Sequence, residues 1–104
     1  MTYIIVFTTT PNKKVARKIC QTLVKKSLAA CTQIIGPIQS HYIWQHRLEQ
    51  TKEFLCLIKT RANQYKKVEK LIKSMHPYQI PEIVGINIVK GFMPYLNWVN
   101  TQII

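Results

Sequence analysis

His76-Pro77-Tyr78-Gln79-Ile80-Pro81-Glu82-Ile83 joins a basic helical pattern to an apolar strand pattern. Each of its prolines fixes its own φ and pushes the preceding residue toward an extended conformation. His76 and Ile80 are therefore held stiffly. This loop has two interpretations. In one it is a functional rim that carries a histidine, a tyrosine and a glutamate, and in the other its prolines only end a helix while Tyr78 packs on the core.

The pattern of apolar residues on either side of this loop predicts the order β-α-β-β-α-β. Asn12 and Thr60 are suited to cap the two helices, and Gly36-Pro37 predicts a bulge or bend in the second strand. The predicted strands are residues 3–7, 28–35 with its continuation through 40–44, 53–59 and 83–89, with a hairpin turn at 45–48. A short helix is predicted at 93–99, where Tyr95 and Trp98 share one face because they are three residues apart.

This element order predicts an α+β fold of the ferredoxin-like split βαβ class, with one antiparallel sheet and both long helices on one side. The opposite face of the sheet then carries apolar residues that no helix of the chain covers. Such a face binds a ligand, stacks nucleic-acid bases or meets another subunit. These three outcomes define the functional hypotheses.

The length and composition set limits on the organisation of the chain. With 104 residues and 47% hydrophobic content, the chain can bury one core, so a single domain over residues 1–104 is expected. The apolar run at 3–7 is too short to cross a bilayer, and no basic segment precedes it as in a signal peptide. We therefore expect a soluble, cytoplasmic protein. Three cysteines without a C-x-x-C pattern predict reduced, mostly buried thiols.

The charge of the chain is strongly positive, with a formal net value of +11. Much of this charge falls in residues 13–26 and 61–73. A field of this kind attracts nucleic acid, acidic protein or anionic lipid, but it is equally consistent with solvated outer faces of helices. The sequence alone leaves both interpretations open.

Several motifs in fixed order resemble the CutA family of divalent-cation tolerance proteins, and the resemblance runs nearly from end to end. The residues that carry it are Thr9-Thr10-Pro11, Leu28-Ala29-Ala30-Cys31, Ser40-x-Tyr42-x-Trp44, Glu53 with Ile58-Lys59-Thr60, His76-Pro77-Tyr78-x-x-Pro81-Glu82-Ile83 and Tyr95-x-x-Trp98. The resemblance implies a homotrimer of ferredoxin-like subunits, with kinship to the trimeric PII-type signalling proteins. It also implies binding of copper or another divalent cation.

The same resemblance implies a ligand site in a cleft between subunits. The candidate residues for that cleft are Tyr42, Trp44, Lys59, Tyr78, Glu82, Tyr95 and Trp98, together with His76 as the metal ligand. Packing at an interface would also explain the aromatic members of this set. A small anionic ligand is a further candidate for the cleft.

Two departures from the family pattern affect these expectations. A turn glycine of the family is His46 here, at a position for which φ > 0 is expected. The family's copper ligands, a cysteine and a histidine pair, correspond to Thr8 and Met75-His76. Because one imidazole remains, we expect copper or another divalent cation to bind weakly.

Two rival classes of function make different demands on the sequence. A basic nucleic-acid module of the RNA-recognition topology would show glycine and alternating aromatic residues in its third strand, whereas residues 54–58 contain a single aromatic ring. An enzyme would require a recognisable nucleophile or acid–base pair, and the chain has only four acidic residues. We therefore expect no catalysis, no membrane association and no specific nucleic-acid binding.

Overall fold

The computed structural model describes residues 1–104. Seven helices and strands build the fold, and a single 3₁₀ turn at Ala62–Gln64 precedes the second long helix. Their bounds are β1 (Tyr3–Thr10), α1 (Lys13–Lys25), β2 (Cys31–Trp44), β3 (Arg47–Arg61), α2 (Tyr65–Met75), β4 (Ile83–Ile88) and α3 (Met93–Thr101). This order confirms the predicted succession of elements.

The four strands form one sheet in the order β2-β3-β1-β4, and every neighbouring pair is antiparallel. The α+β class and the split βαβ topology are therefore confirmed. On β1 and β3, alternate residues point to α1 and α2 and are buried with them in one core. The largest fully buried side chains of that core are Val6, Ile19, Leu23, Ile58, Val68 and Ile72.

The thiols follow the same pattern of burial. Cys20 on α1 and Cys56 on β3 are buried in the core, and Cys31 is half-buried. A hydrogen bond with Cys20, and then burial, raise the pKa of the Cys56 thiol above its usual range. The expectation of reduced and mostly buried cysteines is thus consistent with the packing.

The other face of the sheet is only partly covered. Val99 and Ile103 at the C-terminal end of the chain pack with Ala30 and Tyr3 at one end of this face. Arg61 holds α3 there by donating hydrogen bonds to Oδ1 of Asn100 and to the carbonyl of Ile104, at 2.8 and 2.6 Å. Apolar side chains elsewhere on this face remain exposed to solvent in the single chain, among them Ile35, Val84 and Ile86.

The hairpin of β2 and β3 is longer than the rest of the sheet. Its register runs from Ile38 opposite Glu53 to Trp44 opposite Arg47, and it shifts at a bulge between Ile35 and Ile38. The bulge confirms the interruption predicted at Gly36-Pro37. A Cβ atom on Gly36 would lie 2.5 Å from a ring carbon of Phe54, so glycine permits the close approach of the two strands.

Several element boundaries differ from the sequence prediction. The largest difference is in β3, which was predicted at 53–59 but begins at Arg47 and ends at Arg61, because the long hairpin keeps it paired with β2 as far as the turn. β2 begins at Cys31, because the amides of Leu28 and Ala29 still donate to the carbonyl of Leu23 at the end of α1. Thr60 does not cap a helix, since its hydroxyl donates to the carbonyl of Leu28 at 2.7 Å. β1 continues to Thr10, three residues beyond the predicted end. By contrast Asn12 caps α1, with Oδ1 accepting from the amide of Val15.

The turn of the hairpin contains two residues, Gln45 and His46, and not the four that were predicted. Both have positive φ, 50° and 66° respectively. Two-residue hairpin loops favour this left-handed conformation because its twist matches that of the strands. The expectation that His46 occupies a position of positive φ is confirmed.

The longest helix, α1, contains 13 residues. The helices fall short of the length and hydrophobicity that a membrane-spanning helix requires.

Candidate functional site

A concave region, here named the rim pocket, lies between the hairpin and the loop that precedes β4. Two adjoining cavities of about 330 and 400 Å³ form it. Tyr42 and Trp44 share one face of β2 because strand residues alternate, and they form one wall. Glu53, Tyr78, Ile80 and Glu82 line the other walls. The remaining lining residues of the rim pocket are Thr9, Ser40, His41, Pro77 and Gln79.

Glu53 lies deepest among these residues and is only 4% exposed. Its Oε2 accepts a hydrogen bond of 2.8 Å from the phenol of Tyr78. Burial, and then the hydrogen bond to Glu53, raise the pKa of the Tyr78 phenol well above its ordinary value. The phenol therefore stays protonated at neutral pH and remains a donor.

His76 lies beneath the loop and is 9% exposed. Its Nε2 is 2.7 Å from the carbonyl of Thr9, and its Nδ1 accepts from the amide of Tyr78 at 3.1 Å. Since a carbonyl accepts only, Nε2 carries the proton and the ring is the neutral Nε2–H tautomer. Both nitrogens are occupied by the backbone, so a metal ion at either one would displace a hydrogen bond.

The remaining candidate residues form a second group, here named the α3 cluster. The rings of Tyr95 and Trp98 stack with centroids 5.8 Å apart. Nζ of Lys59 lies 5.6 Å from the centroid of the Tyr95 ring, within range of a cation–π contact. Lys59 reaches α3 because it points to the face of the sheet opposite to α1 and α2.

Within one chain the rim pocket and the α3 cluster are far apart. Glu53 and Lys59 lie on the same strand six residues apart, which corresponds to about 20 Å at the usual rise of a strand. The structure therefore brings Tyr42, Trp44, Tyr78 and Glu82 together, and separately Lys59, Tyr95 and Trp98.

The chain contains no group of three or more His, Cys, Asp and Glu side chains that are placed to bind one metal ion. Thr8 is fully buried in β1, and its hydroxyl has no hydrogen-bond partner. His41 lines the rim pocket from the hairpin, whereas His76 lies behind the loop with both nitrogens bonded.

The basic residues are concentrated on the helices. Ten of the fifteen Lys and Arg side chains fall in residues 13–26 and 65–75, and all ten are exposed. Glu69 is the one acidic residue in these two segments. The positive charge thus lies on the outer faces of α1 and α2 and does not form a stripe across the open face of the sheet.

Sequence reasoning missed Glu53 as a member of the site, although the residue belongs to a motif that carries the family resemblance. The signal was an acidic residue at the start of an otherwise apolar strand, since ionised side chains are seldom fully buried without a partner. Ile80 was also missed, because an isolated apolar loop residue has no distinctive pattern.

The chain matches the family model of the CutA1 divalent ion tolerance protein over residues 4–102. It is 39% identical over 94 residues to the divalent-cation tolerance protein CutA of Thermus thermophilus, covering 90% of this chain and 91% of that protein. It is 38% identical to protein CutA of Mus musculus over 90% of this chain. It spans about half of that mouse protein, 53% of its length.

Solved structures agree with the sequence relatives. The CutA1 structure from Thermus thermophilus superimposes with a TM-score of 0.94 at 37% identity, covering 97% of this chain and 98% of that chain. The structure of CutA1 from Oryza sativa gives a TM-score of 0.96 at 30% identity, with 99% and 94% covered. The agreement of sequence, family model and backbone shows that this chain belongs to the CutA family of divalent-cation tolerance proteins.

Proposed function

We propose that this chain acts in divalent-cation tolerance as a non-catalytic homotrimer that binds its ligand at the rim pocket. The observation that carries the proposal is the composition of that pocket. Three aromatic side chains, Tyr42, Trp44 and Tyr78, surround a buried carboxylate, Glu53, in a concave region that is open to solvent. Concave sites with apolar walls and few polar groups are typical of small-ligand binding.

The open face of the sheet supports the trimer. Ile86 and Ile35 are about half exposed in the single chain, at 53% and 49%, and lie on the two edge strands of this face; Val84 is exposed beside Ile86 on β4. Large apolar side chains exposed on a sheet face often mark a surface that meets another protein. The hairpin of β2 and β3 also supports the trimer, because Ile43 and Leu48 pair across the hairpin tip and both are exposed.

The trimer would also join the two groups of candidate residues. In one chain the rim pocket and the α3 cluster lie at opposite ends of β3. A neighbouring subunit packed on the open face would bring its own Lys59, Tyr95 and Trp98 toward the hairpin. The cleft between subunits is thus proposed to contain all seven residues.

Copper or another divalent cation is proposed to bind weakly. His76 would have to give up a hydrogen bond to Thr9 or to Tyr78. A single imidazole gives little affinity, because tight sites need several converging ligands.

An alternative is that the trimer is a small-molecule sensor of the PII type. The volume of the rim pocket favours it, since cavities of about 300 Å³ and above accommodate small organic ligands. The concentration of lysines on the outer helix faces, away from the open sheet, is the reason that specific nucleic-acid binding is not proposed.

The cytoplasm is the proposed compartment, and the three free cysteines support it because reduced thiols persist there. The relative from Arabidopsis thaliana is described as chloroplastic, and a structure from Archaeoglobus fulgidus is described as periplasmic. The location therefore varies among relatives.

Light scattering tests the assembly, and a homotrimer should give three times 12.2 kDa. A crystal structure of the trimer would then show whether Lys59, Tyr95 and Trp98 of one subunit approach the rim pocket of the next. A monodisperse monomer at micromolar concentration would refute the proposal.

A further inference from the structure

A shallow groove, here named the lysine groove, lies on the helix side of the sheet and shares no residue with the rim pocket or the α3 cluster. It has a volume of about 330 Å³ and runs between the C-terminal end of α1 and the outer face of α2. Its lining residues are Lys26, Leu28, Lys67, Lys70, Leu71 and Ser74. The three lysines are exposed, and the lining contains no acidic and no aromatic side chain.

One side of the lysine groove is a single face of α2. Its four residues from this helix, at positions 67, 70, 71 and 74, are spaced at i, i+3, i+4 and i+7. From Lys67 to Ser74 this face extends about 10 Å at the usual rise of a helix. Leu71 is half-buried and packs on the core, and so does Leu28 on the other side of the groove. The two leucines therefore form an apolar floor, and the lysines lie around it.

The other side of the lysine groove is the segment that leaves α1. Ser27 has a φ of 57° and ends the helix, and the amide of Leu28 donates back to the carbonyl of Leu23 at 3.0 Å. The carbonyl of Leu28 accepts from the hydroxyl of Thr60 at 2.7 Å. Because both backbone groups of Leu28 are bonded, this side of the groove is fixed before any partner binds. Preorganisation of this kind lowers the cost of association.

Assembly of identical chains leaves the charge of this surface uncompensated. Each subunit brings the same fifteen basic and four acidic residues. Three of the acids, Glu49, Glu53 and Glu82, lie on the hairpin and at the rim pocket, and Glu69 lies on α2 itself. The proposed trimer packs on the open face of the sheet, opposite the helices. A partner of opposite charge for the lysine groove therefore has to be a different molecule.

The apolar floor distinguishes between classes of anionic partner. A nucleic acid would use the lysines for its phosphates, but it would find no aromatic ring for its bases and would leave the leucines without a partner. A lipid surface is flat and would contact the lysines above the floor. An amphipathic helix with acidic residues beside its apolar face satisfies both features, because such helices place i, i+3, i+4 and i+7 side chains in a groove.

We propose that the lysine groove docks an acidic, amphipathic helical segment of another protein. Apolar side chains of that segment pack on Leu28 and Leu71. Its carboxylates pair with Lys26, Lys67 and Lys70. The proposal goes beyond the proposed function and does not depend on it, because one chain supplies every residue of the groove.

Fluorescence anisotropy with a labelled peptide of about 14 residues, long enough to span the groove, tests the proposal. The peptide carries leucine at i, i+3, i+4 and i+7 and glutamate at the flanking positions. One control peptide has the same composition in an order that spreads the leucines around the helix, and a second has glutamine in place of every glutamate. The protein is the full chain at about 150 mM salt, where the Debye length of about 8 Å screens the general field of the protein.

The amphipathic peptide should bind saturably, and both control peptides should bind at least about tenfold more weakly. The double variant Lys67→Gln with Lys70→Gln should lose about tenfold or more in affinity for the amphipathic peptide. Lys13→Gln with Lys14→Gln is the matched control, since it removes the same charge from the first turn of α1, outside the groove. It should leave the affinity within about threefold. All four lysines are exposed, and circular dichroism verifies that both variants are folded.

Several results would overturn the proposal. Equal binding of the amphipathic and the reordered peptide, or equal losses in the two double variants, would show that only the general positive charge attracts the peptide. Absence of saturable binding, or a trimer structure in which a neighbouring subunit covers the groove, would overturn it as well. Tighter binding of a DNA duplex or of phosphatidylserine vesicles at the same salt would assign the groove to nucleic acid or lipid instead. A monomer in light scattering refutes only the proposed assembly.

Discussion

The phenol of Tyr78 donates a hydrogen bond of 2.8 Å to the carboxylate of Glu53, and this contact joins the loop before β4 to the base of the long hairpin. The two residues are 25 positions apart, and one is nearly inaccessible to solvent. The contact therefore holds Tyr78 in the wall of the rim pocket. It also gives the buried carboxylate of Glu53 a hydrogen-bond donor.

Tyr78→Phe should lower the free energy of unfolding by about 1–3 kcal/mol, because it leaves the carboxylate of Glu53 buried without a donor. Denaturant unfolding measures the change. Tyr95→Phe is the control, since its phenol lies on the exposed surface of α3. Equal stability of Tyr78→Phe and the wild type would show that the hydrogen bond contributes nothing.

The contact between Tyr78 and Glu53 also predicts that the free energy of unfolding depends on pH. Burial and the contact with Glu53 raise the pKa of Tyr78 in the folded state above its unfolded value, which is about 10. A raised pKa contributes stability that is complete below the unfolded pKa and is lost as the pH rises above it. The stability difference between wild type and Tyr78→Phe should therefore shrink above about pH 10, and a constant difference would contradict the assignment.

His46→Gly should raise the free energy of unfolding by about 0.5–1 kcal/mol, because glycine adopts positive φ without a steric penalty. His41→Gly is the control, since His41 lies in extended strand, where glycine is unfavourable. It should lower stability. Thermal unfolding of both variants decides the matter, and a less stable His46→Gly protein would contradict the prediction.

The dissociation constant for Cu(II) should be micromolar or weaker, because both nitrogens of His76 are bonded to the backbone. His76→Ala should instead lower stability by about 1–3 kcal/mol through the loss of these two contacts. Calorimetric titration of Cu(II) into wild type, His76→Ala and the control His41→Ala separates the effects. Submicromolar binding that only His76→Ala abolishes would reveal a metal site, assembled across subunits.

Trp44→Ala should weaken the proposed trimer by about 2 kcal/mol or more before it unfolds the subunit, because a tryptophan packed in an interface is often an energetic hot spot. Light scattering over a dilution series measures the dissociation. Gln50→Ala is the control for general effects on the hairpin, since Gln50 is exposed on β3 and lies opposite His41, on the face of the hairpin away from Trp44. An unchanged trimer in Trp44→Ala would place Trp44 outside the interface.

Nucleic-acid binding should be weak, independent of sequence and lost by about 200 mM salt, as expected when exposed lysines contact phosphates only. Fluorescence anisotropy with two unrelated duplexes and a single strand measures it. Removal of Lys67 and Lys70 on α2 should weaken all three alike. Nanomolar, sequence-selective binding at that salt would instead support the nucleic-acid alternative.

The order of elements could be predicted from the sequence because it depends on local patterns. The 3.6-residue spacing on α1 and α2 and the short apolar runs of the strands each indicate one element. The cap at Asn12 and the bulge after Ile35 were also predictable, since a side chain or a glycine–proline pair acts within a few residues. The family resemblance added the candidate residues of the site.

Only the tertiary structure decided which of those residues meet. It placed Tyr42 and Trp44 beside Tyr78, whereas Lys59 was placed beside Tyr95. It also showed that the nitrogens of His76 are used by Thr9 and Tyr78, and that Thr60 bonds to Leu28 and caps no helix. The physical reason is that these contacts join residues far apart in the chain, so they depend on strand register and packing and not on any local sequence pattern.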